Sequence, residues 1–460
     1  MSLSVTEANE FTKAVSEYGY KELYFLKDLV LVPLVLLVIF FFMKRLREKQ
    51  PEELKRFFLP GFFIKLIAIP LFLFHHTLIY KGGVDQFTYY WASNDIIQLF
   101  YIKPSMAISV VFTSFDSFNQ IIGVDISQFI FARNESLVIK LTSVVSFFTG
   151  NSFWVTSILL SLFSYFGYWK LLIIFNRFYP GRPKLFAWST IFIPSLIFWT
   201  CVISKEVFCI GAMGYLFYYL LEFFYYKRFS VLNAIIIILM SYLLYRIKIY
   251  ILISLLAAFF FFLMYSKLEL IRSKLLRVTI IPIVIVILSF TLFMVLNLFS
   301  DQLQQFALSN LLETVKTNYD YLSQEGLSSS RYTFEEVEPT ISSILSLAPA
   351  SVNVTLFRPY LWEANKPITL LASIESLLTL LLTIYVFFKV GFKSFRLIFS
   401  EKTLLLCFLF AIIFSILVGL TSGNFGTLMR YKIPMMPFYF SGLVILLRSK
   451  ENKLQEIHSL

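Results

Sequence analysis

The sequence predicts an all-α fold, a polytopic bundle of about eleven transmembrane helices with two long external segments. Its composition is the first reason, because 58% of the 460 residues are hydrophobic and only 15% are charged. Soluble domains average about 45–50% apolar and about 25% charged residues. The second reason is a series of apolar runs that approach the roughly 20 residues a helix needs to cross a bilayer. Water is therefore not the main solvent of this chain.

Hydrophobic runs bounded by polar or basic residues define the predicted spans. The sixth and seventh are short and are separated only by YRIKIY, so they are alternatively one broken or re-entrant pair. The predicted spans are residues 26–43, 57–79, 152–174, 185–203, 207–226, 231–245, 249–266, 278–298, 367–388, 403–420 and 433–447.

Basic residues concentrate in every second loop, which predicts the orientation. Cytoplasmic loops of membrane proteins carry an excess of Lys and Arg. With the N-terminus outside and the C-terminus in the cytoplasm, the cytoplasmic loops hold 22 of the 40 basic residues. This bias accounts for most of the net charge of +12 without a nucleic-acid partner. The acidic N-terminus lacks the basic start of a signal peptide, so we expect the first span to be retained.

Two segments between spans are much longer than the other loops, and we expect both on the external side. Residues 80–151 mix apolar and charged residues, a pattern typical of short amphipathic helices at the membrane interface. Residues 299–366 are predicted to form an external loop, and loops of this length are usually functional or disordered. Short basic loops elsewhere leave room for a single transmembrane domain, residues 1–460.

The cysteines and histidines give no sign of a metal or a cofactor. Cys201, Cys209 and Cys407 lie in apolar runs without metal-like or disulfide-like spacing. His75 and His76 are adjacent, so on a helix they project about 100° apart and are poorly placed to bind one metal ion together. We therefore predict no metal site and no cofactor.

Several charged residues fall at the predicted external ends of the helices, against the topology bias. A charge near membrane depth costs a few kcal/mol unless it is paired or faces water. For any one residue, snorkelling to the interface is the alternative. Taken together they favour a polar cavity or an anion site. The set is Asp85, Lys205, Glu206, Arg246, Lys248, Arg358, Glu363, Arg430 and Lys432.

Within this set, the residue types predict different roles. Asp85 follows a Gly-Gly turn and is a candidate general base, with Glu206 and Glu363 as further catalytic candidates; equally, Asp85 fits the N-cap of the helix that follows. Arg358 and Arg430 offer the bidentate fork that suits phosphate, and the other cations are candidate substrate ligands.

A family resemblance rests on four features: the early external Asp85, PSLIFWTCVISKEV, LFRPYLWEA before a late span, and NFGTLMRYKIPMMP near the end. In layout the chain resembles bacterial envelope proteins of the GT-C glycosyltransferase type and the O-antigen-type polysaccharide polymerases. The resemblance implies a polyprenyl-phosphate-linked sugar as donor, Asp85 as base, and Arg358 and Arg430 on the lipid phosphate. No second acid stands at the D-x-D or E-x-D spacing of that group.

The function expected from these features is transfer of a sugar from a polyprenyl-phosphate-linked donor to a glycan or lipid acceptor during cell-envelope polysaccharide synthesis. The expected location is the bacterial inner membrane, so membrane lipids are partners. Two alternatives remain open: a transporter or flippase for a lipid-linked anionic substrate, and a non-catalytic membrane scaffold. A transporter would favour inverted repeats or midplane charges, and the sequence shows neither clearly.

Overall fold

The computed structural model of the chain describes residues 25–79, 84–112, 133–268, 341–422 and 424–458, with a few separate positions nearer the N-terminus. Within these ranges the fold is all-helical and contains no β-strand. Among the described residues, seven helices are long and apolar enough to cross a membrane, so the chain is a multi-pass membrane protein. The predicted count of eleven spans is not confirmed, and the predicted span 278–298 lies outside the described residues.

The first two helices have the length and the apolar composition of membrane spans. Helix α1, Asp28–Glu48, has an acidic residue in its first turn and arginines in its last, which complement the helix dipole. Most of its apolar side chains are exposed, as expected of a helix that faces lipid. Helix α2, Lys55–Phe74, continues as a π-helical turn, His75–Ile79, and together they form the second candidate span.

Three helices occupy the first segment predicted to be external: α3, Asp85–Ile102, α4, Pro104–Phe112, and α5, Arg133–Phe148. Helix α3 buries polar as well as apolar side chains, and it packs against α5. None of the three is among the candidate spans. Their predicted place at the external interface stays a prediction.

The predicted span 185–203 is not one helix. Helix α6, Phe153–Phe178, is followed by two short helices, α7, Pro183–Thr190, and α8, Pro194–Trp199. Proline has no N–H to continue a helix and disfavours helical backbone in the residue before it. Pro194 therefore accounts for the break that the hydropathy of this stretch conceals.

Helices α9 and α10 carry further departures from the predicted spans. Helix α9, Lys205–Leu220, ends in a π-helical turn, Leu221–Tyr225. Helix α10, Val231–Leu268, covers both short predicted spans and is interrupted at Lys248, where φ is −149° and ψ is 78°. The alternative prediction, one broken pair instead of two separate short spans, therefore describes this region.

The described residues after Leu268 begin with α11, Ile341–Phe357, so the part of 299–366 that the structure describes includes a helix rather than loop alone. Residues 299–340 of that segment lie outside the described ranges. A 3₁₀ turn, Leu361–Glu363, leads to the span α12, Pro367–Val390. After it come α13, Lys393–Ser400, α14, Lys402–Thr421, α15, Phe425–Tyr431, a 3₁₀ turn, Ile433–Met435, and α16, Met436–His458.

The internal packing of the chain divides it into two compact units. The first comprises residues 1–168, 197–214 and 246–248, and the second comprises residues 169–196, 215–245 and 249–460. This division concerns packing, so the single transmembrane domain predicted from the sequence is neither supported nor contradicted by it.

Glycines allow close helix packing in the first unit. Gly167 of α6 lies against Gly211 and Gly214 of α9 so closely that a Cβ at any of these positions would overlap neighbouring atoms. Small residues at such crossings let two membrane helices approach through their backbones, where dispersion forces hold them. The glycine contact therefore sets how α6 and α9 pack in this unit.

We expect Gly214→Ala to destabilise the protein by about 1–3 kcal/mol, the usual cost of overpacking. The added methyl would overlap the Gly167 carbonyl, a backbone group that cannot move aside without shifting α6. Thermal unfolding in detergent measures the effect. Gly426→Ala is the control, because its methyl meets nothing closer than 3.3 Å. Equal unfolding midpoints for the two variants would contradict the proposed contact.

Candidate functional site

The first unit brings four of the sequence-predicted residues into one polar cluster. Lys205 and Glu206 begin α9, and the break in α10 lies at Lys248, two residues after Arg246. Ser204 fixes where α9 starts, because its hydroxyl accepts the Val207 backbone N–H at 3.1 Å and so caps the helix.

The outer part of this cluster is an ion pair between Lys205 and Glu135 of α5. The Lys205 Nζ lies 2.8 Å from the Glu135 Oε1, and the two side chains are 19% and 20% exposed. The Tyr89 hydroxyl of α3 donates to the same carboxylate oxygen at 3.5 Å. The pair is therefore partly open to its surroundings and held by three helices.

The inner part is an ion pair between Lys248 and Glu206. The two charged atoms lie 3.0 Å apart, and the side chains are only 5% and 6% exposed. Removing two charges from water costs several kcal/mol each, which the mutual attraction offsets only when the geometry is good. Removing either partner alone would take from the remaining buried charge the counter-ion that lies 3.0 Å away.

Two more cations complete the cluster and leave it positively charged. Lys140 lies on α5, and burial together with the nearby charge of Arg246 lowers the pKa of Lys140. Four cationic side chains, those of Lys140, Lys205, Arg246 and Lys248, thus accompany the carboxylates Glu135 and Glu206. Among these six described side chains, cations outnumber carboxylates by two when all are charged, a composition that suits an anionic ligand such as a phosphate.

Asp85 lies at the first turn of α3 and is exposed. Val84 occupies the N-cap position without a side-chain cap, so the N-cap interpretation of Asp85 is not what the structure has. Asp85 and Tyr89 are four residues apart and therefore share one face of α3. Because Tyr89 donates to Glu135, Asp85 lies one helical turn from a residue that contacts the cluster.

Asp95, also on α3, was not singled out from the sequence. It is 2% exposed, and its Oδ2 accepts no hydrogen bond from the described residues. Burial raises the pKa of this carboxyl to about 7. Its neighbours Ser93 and Asn94 are also buried, so the run SND in an aromatic helix was the available signal.

In the second unit, Arg358 pairs with Glu363 through one edge of its guanidinium, with Nε and Nη2 each donating to a carboxylate oxygen. The Glu363 carboxylate also accepts the Tyr360 backbone N–H at 2.7 Å, which caps the 3₁₀ turn. The Arg358 fork, predicted as a phosphate ligand, is thus already engaged by a carboxylate five residues away.

Lys432 is buried in the same unit. Its Nζ donates to the Ser376 hydroxyl at 2.9 Å and to the Arg358 carbonyl at 3.2 Å, and burial lowers its pKa to about 8. Arg430, two residues earlier, lies in the last turn of α15 and is partly exposed. The second unit therefore groups Arg358, Glu363 and Lys432, and a cavity shared with the residues of the first unit stays a prediction.

A buried lysine in α2 was also missed by sequence analysis. Lys65 is fully buried, and its Nζ lies 2.6 Å from both the Ser164 and the Thr200 hydroxyl oxygens and 4.9 Å from the Tyr168 ring centre. No carboxylate of the described residues pairs with it. Ionisable residues inside a span usually mark a functional site, so Lys65 is a second place of interest in the first unit.

Comparison with known proteins does not identify this chain. No protein-family model, no curated protein and no solved structure matches it. Its function is therefore inferred from the chemistry of the cluster formed by Glu135, Lys140, Lys205, Glu206, Arg246 and Lys248, called the cationic cluster below.

We expect Asp95→Asn to raise stability relative to the wild type, and to do so increasingly between about pH 4 and pH 7. The folded-state pKa of Asp95 is raised from 3.8 to about 7. In this window the unfolded chain has already released the proton that the folded chain keeps, so wild-type stability falls as pH rises, by up to about 1.4 kcal/mol per pH unit. Above pH 7 the difference should level off.

Chemical denaturation in detergent across pH 4–8 measures this difference. Asp85→Asn is the matched control, since it removes an exposed carboxylate from the same helix. A difference between Asp95→Asn and the wild type that does not grow with pH would contradict the buried state of Asp95.

Proposed function

We propose that the chain is a membrane glycosyltransferase or glycan polymerase, which uses a polyprenyl-phosphate-linked sugar on the external face of a bacterial inner membrane. The observation that carries the proposal is the excess of positive charge in the cationic cluster, together with an exposed carboxylate on the adjoining helix. The proposed orientation places the N-terminus outside and the C-terminus in the cytoplasm.

In this proposal the cations hold the phosphate of the donor. Lys205 is partly exposed and can contact an anion directly, while Lys248 lies deeper against Glu206. As the bond between the sugar anomeric carbon and the phosphate oxygen breaks, negative charge develops on the lipid phosphate. Fixed cations stabilise that charge most when it forms, which lowers the barrier.

Asp85 is the proposed base in the same step. Asp85 is exposed and lies one helical turn from Tyr89 on the same face of α3, which places its carboxylate near the cluster. The acceptor oxygen forms the bond to the anomeric carbon, its proton passes to Asp85, and the lipid phosphate leaves with the electron pair. Glu206 and Glu363, the other candidates from sequence, are engaged by Lys248 and Arg358.

A transporter or flippase for a lipid-linked anion is the second candidate, and Lys65 favours it. A buried lysine inside a candidate span, which contacts hydroxyl groups and a ring of the described residues, is the kind of residue found along ion and substrate pathways. Transport and transfer differ in their products, so one reconstituted assay separates them.

We expect Lys205→Met to lower sugar transfer on the order of 100-fold, as loss of a group that stabilises transition-state charge does. Lys205→Arg, which keeps the charge, should retain more activity. Asp85→Asn should abolish turnover but leave donor binding intact, because an amide cannot accept the proton. Transfer is measured with the purified chain in proteoliposomes that contain a polyprenyl-phosphate-linked sugar and an acceptor glycan.

The control is Lys366→Met, which removes an exposed lysine at the start of α12, in the second unit. Its transfer rate should match the wild type. Equal losses in Lys205→Met and Lys366→Met would point to general charge effects and sink the cluster as the site. Movement of the donor across the bilayer without any transfer would favour the flippase instead.

Topology is tested separately by labelling introduced cysteines from outside the cell. A cysteine in place of Asn134 should react with an impermeant maleimide, and one in place of Glu48 should not, because the loop after α1 is basic. The natural cysteines are buried and serve as an internal background. Labelling at position 48 but not at 134 would reverse the proposed orientation.

A further inference from the structure

A second charged cluster lies in the other unit, at the ends of α6 and of the π-helical turn that follows α9. Glu222 in that turn is buried, and its two carboxylate oxygens pair with two different arginines. One is Arg177 in the last turn of α6, and the other is Arg228, whose Nη1 lies 2.9 Å from Oε2. One carboxylate thus serves two guanidinium groups.

Aromatic rings fix the two arginines. The Arg177 guanidinium lies 5.1 Å from the Tyr226 ring centre and 5.6 Å from that of Tyr218, and the Arg228 guanidinium lies 5.9 Å from Tyr226. Cation–π contacts of this kind are attractive and orient the planar group over the ring. The guanidinium groups are therefore held in place before any ligand arrives.

Positive charge at this cluster exceeds negative charge. Lys170 lies 4.0 Å from the Tyr218 ring centre, and Lys227 adopts a left-handed backbone with φ of 58° between Tyr226 and Arg228. Neither lysine forms an ion pair with a carboxylate of the described residues. Glu222 is the carboxylate that pairs with this group in the part of the chain that the structure describes, so Lys170, Arg177, Lys227 and Arg228 carry three more positive charges than Glu222 offsets when all are ionised.

An exposed guanidinium group and exposed apolar side chains are neighbours in this cluster. The Arg228 side chain is 67% exposed, so much of its fork is open to a ligand. Next to it Phe224, Phe229, Val231 and Leu232 are exposed apolar residues at the start of α10 and the end of the preceding span. An anion that also carries acyl chains fits both features, whereas a free anion uses only one.

We infer that Lys170, Arg177, Lys227 and Arg228 form a binding site for the phosphate of an anionic phospholipid. The headgroup phosphate accepts hydrogen bonds from the open side of the Arg228 fork, and the acyl chains lie along the exposed apolar residues. Glu222 positions the two arginines and keeps them from repelling each other in the absence of lipid. The site is independent of the proposed sugar transfer, because it uses none of the cationic cluster.

Native mass spectrometry of the delipidated full chain in detergent tests this site. Titration with phosphatidylglycerol should show one tightly bound lipid molecule. Titration with phosphatidylcholine should show none bound as tightly. Arg228→Gln should weaken that lipid roughly fivefold, the effect of about 1 kcal/mol per basic residue near an anionic lipid. The lipid affinity of Arg228→Lys should fall between those of the wild type and Arg228→Gln, because lysine keeps the charge but lacks the guanidinium fork.

Arg396→Gln is the matched control, since it removes an exposed arginine from another basic loop, on α13. It should leave the high-affinity lipid unchanged. Equal weakening in Arg228→Gln and Arg396→Gln would show only general attraction between basic loops and anionic lipid, which overturns the site. Displacement of phosphatidylglycerol by millimolar inorganic phosphate would overturn the assignment to a lipid. Arg228 is mostly exposed, so its variants should fold. Size-exclusion chromatography is the check that they do.

Discussion

The ion pair between Glu206 and Lys248 is the interaction on which the first unit depends. It joins the start of α9 to the point where α10 breaks, over 3.0 Å and almost out of contact with solvent. A break in a membrane helix leaves backbone groups without partners, and such breaks persist where polar side chains or a cavity compensate them. The buried ion pair lies at this break and places Lys205 and Arg246 beside it, because they are neighbours of Glu206 and Lys248 in sequence.

Paired carboxylates also organise the second unit. Glu375 of the span α12 accepts both the backbone N–H and the hydroxyl of Ser195, at 2.9 and 2.7 Å, and so holds the start of α8. Glu363 engages Arg358, and Glu222 engages Arg177 and Arg228. A charge at membrane depth is therefore poor evidence of a site when its partner is nearby. An unbalanced group of charges is better evidence, and both clusters described above meet that condition.

Hydropathy predicted the helical fold and apolar stretches that overlap all seven candidate spans, because length and composition decide whether a helix can cross a bilayer. It failed at 185–203, where Pro194 divides an apolar stretch into two short helices, and the predicted span 433–447 is not among the candidates. At YRIKIY the charged residues did mark the break that α10 has at Lys248. Charge bias identified Lys205, Glu206, Arg246 and Lys248. It did not identify Glu135, Asp95 or Lys65, because burial and partnership depend on contacts between segments far apart in sequence.

The geometry also changes which cations best fit an anionic substrate. Sequence favoured Arg358 because a guanidinium fork matches a phosphate. In the folded chain that fork is bound to Glu363, only five residues away, within a turn that the same carboxylate caps. A local pair of this kind is satisfied by its own segment and gains little from a ligand. Lys205 and Lys248 come from different helices and belong to a group whose positive charges outnumber its carboxylates, so an added anion lowers the repulsion within that group. Binding energy is available where charge is unbalanced, and the cationic cluster is therefore a stronger candidate for phosphate recognition than the arginine that the sequence first singled out.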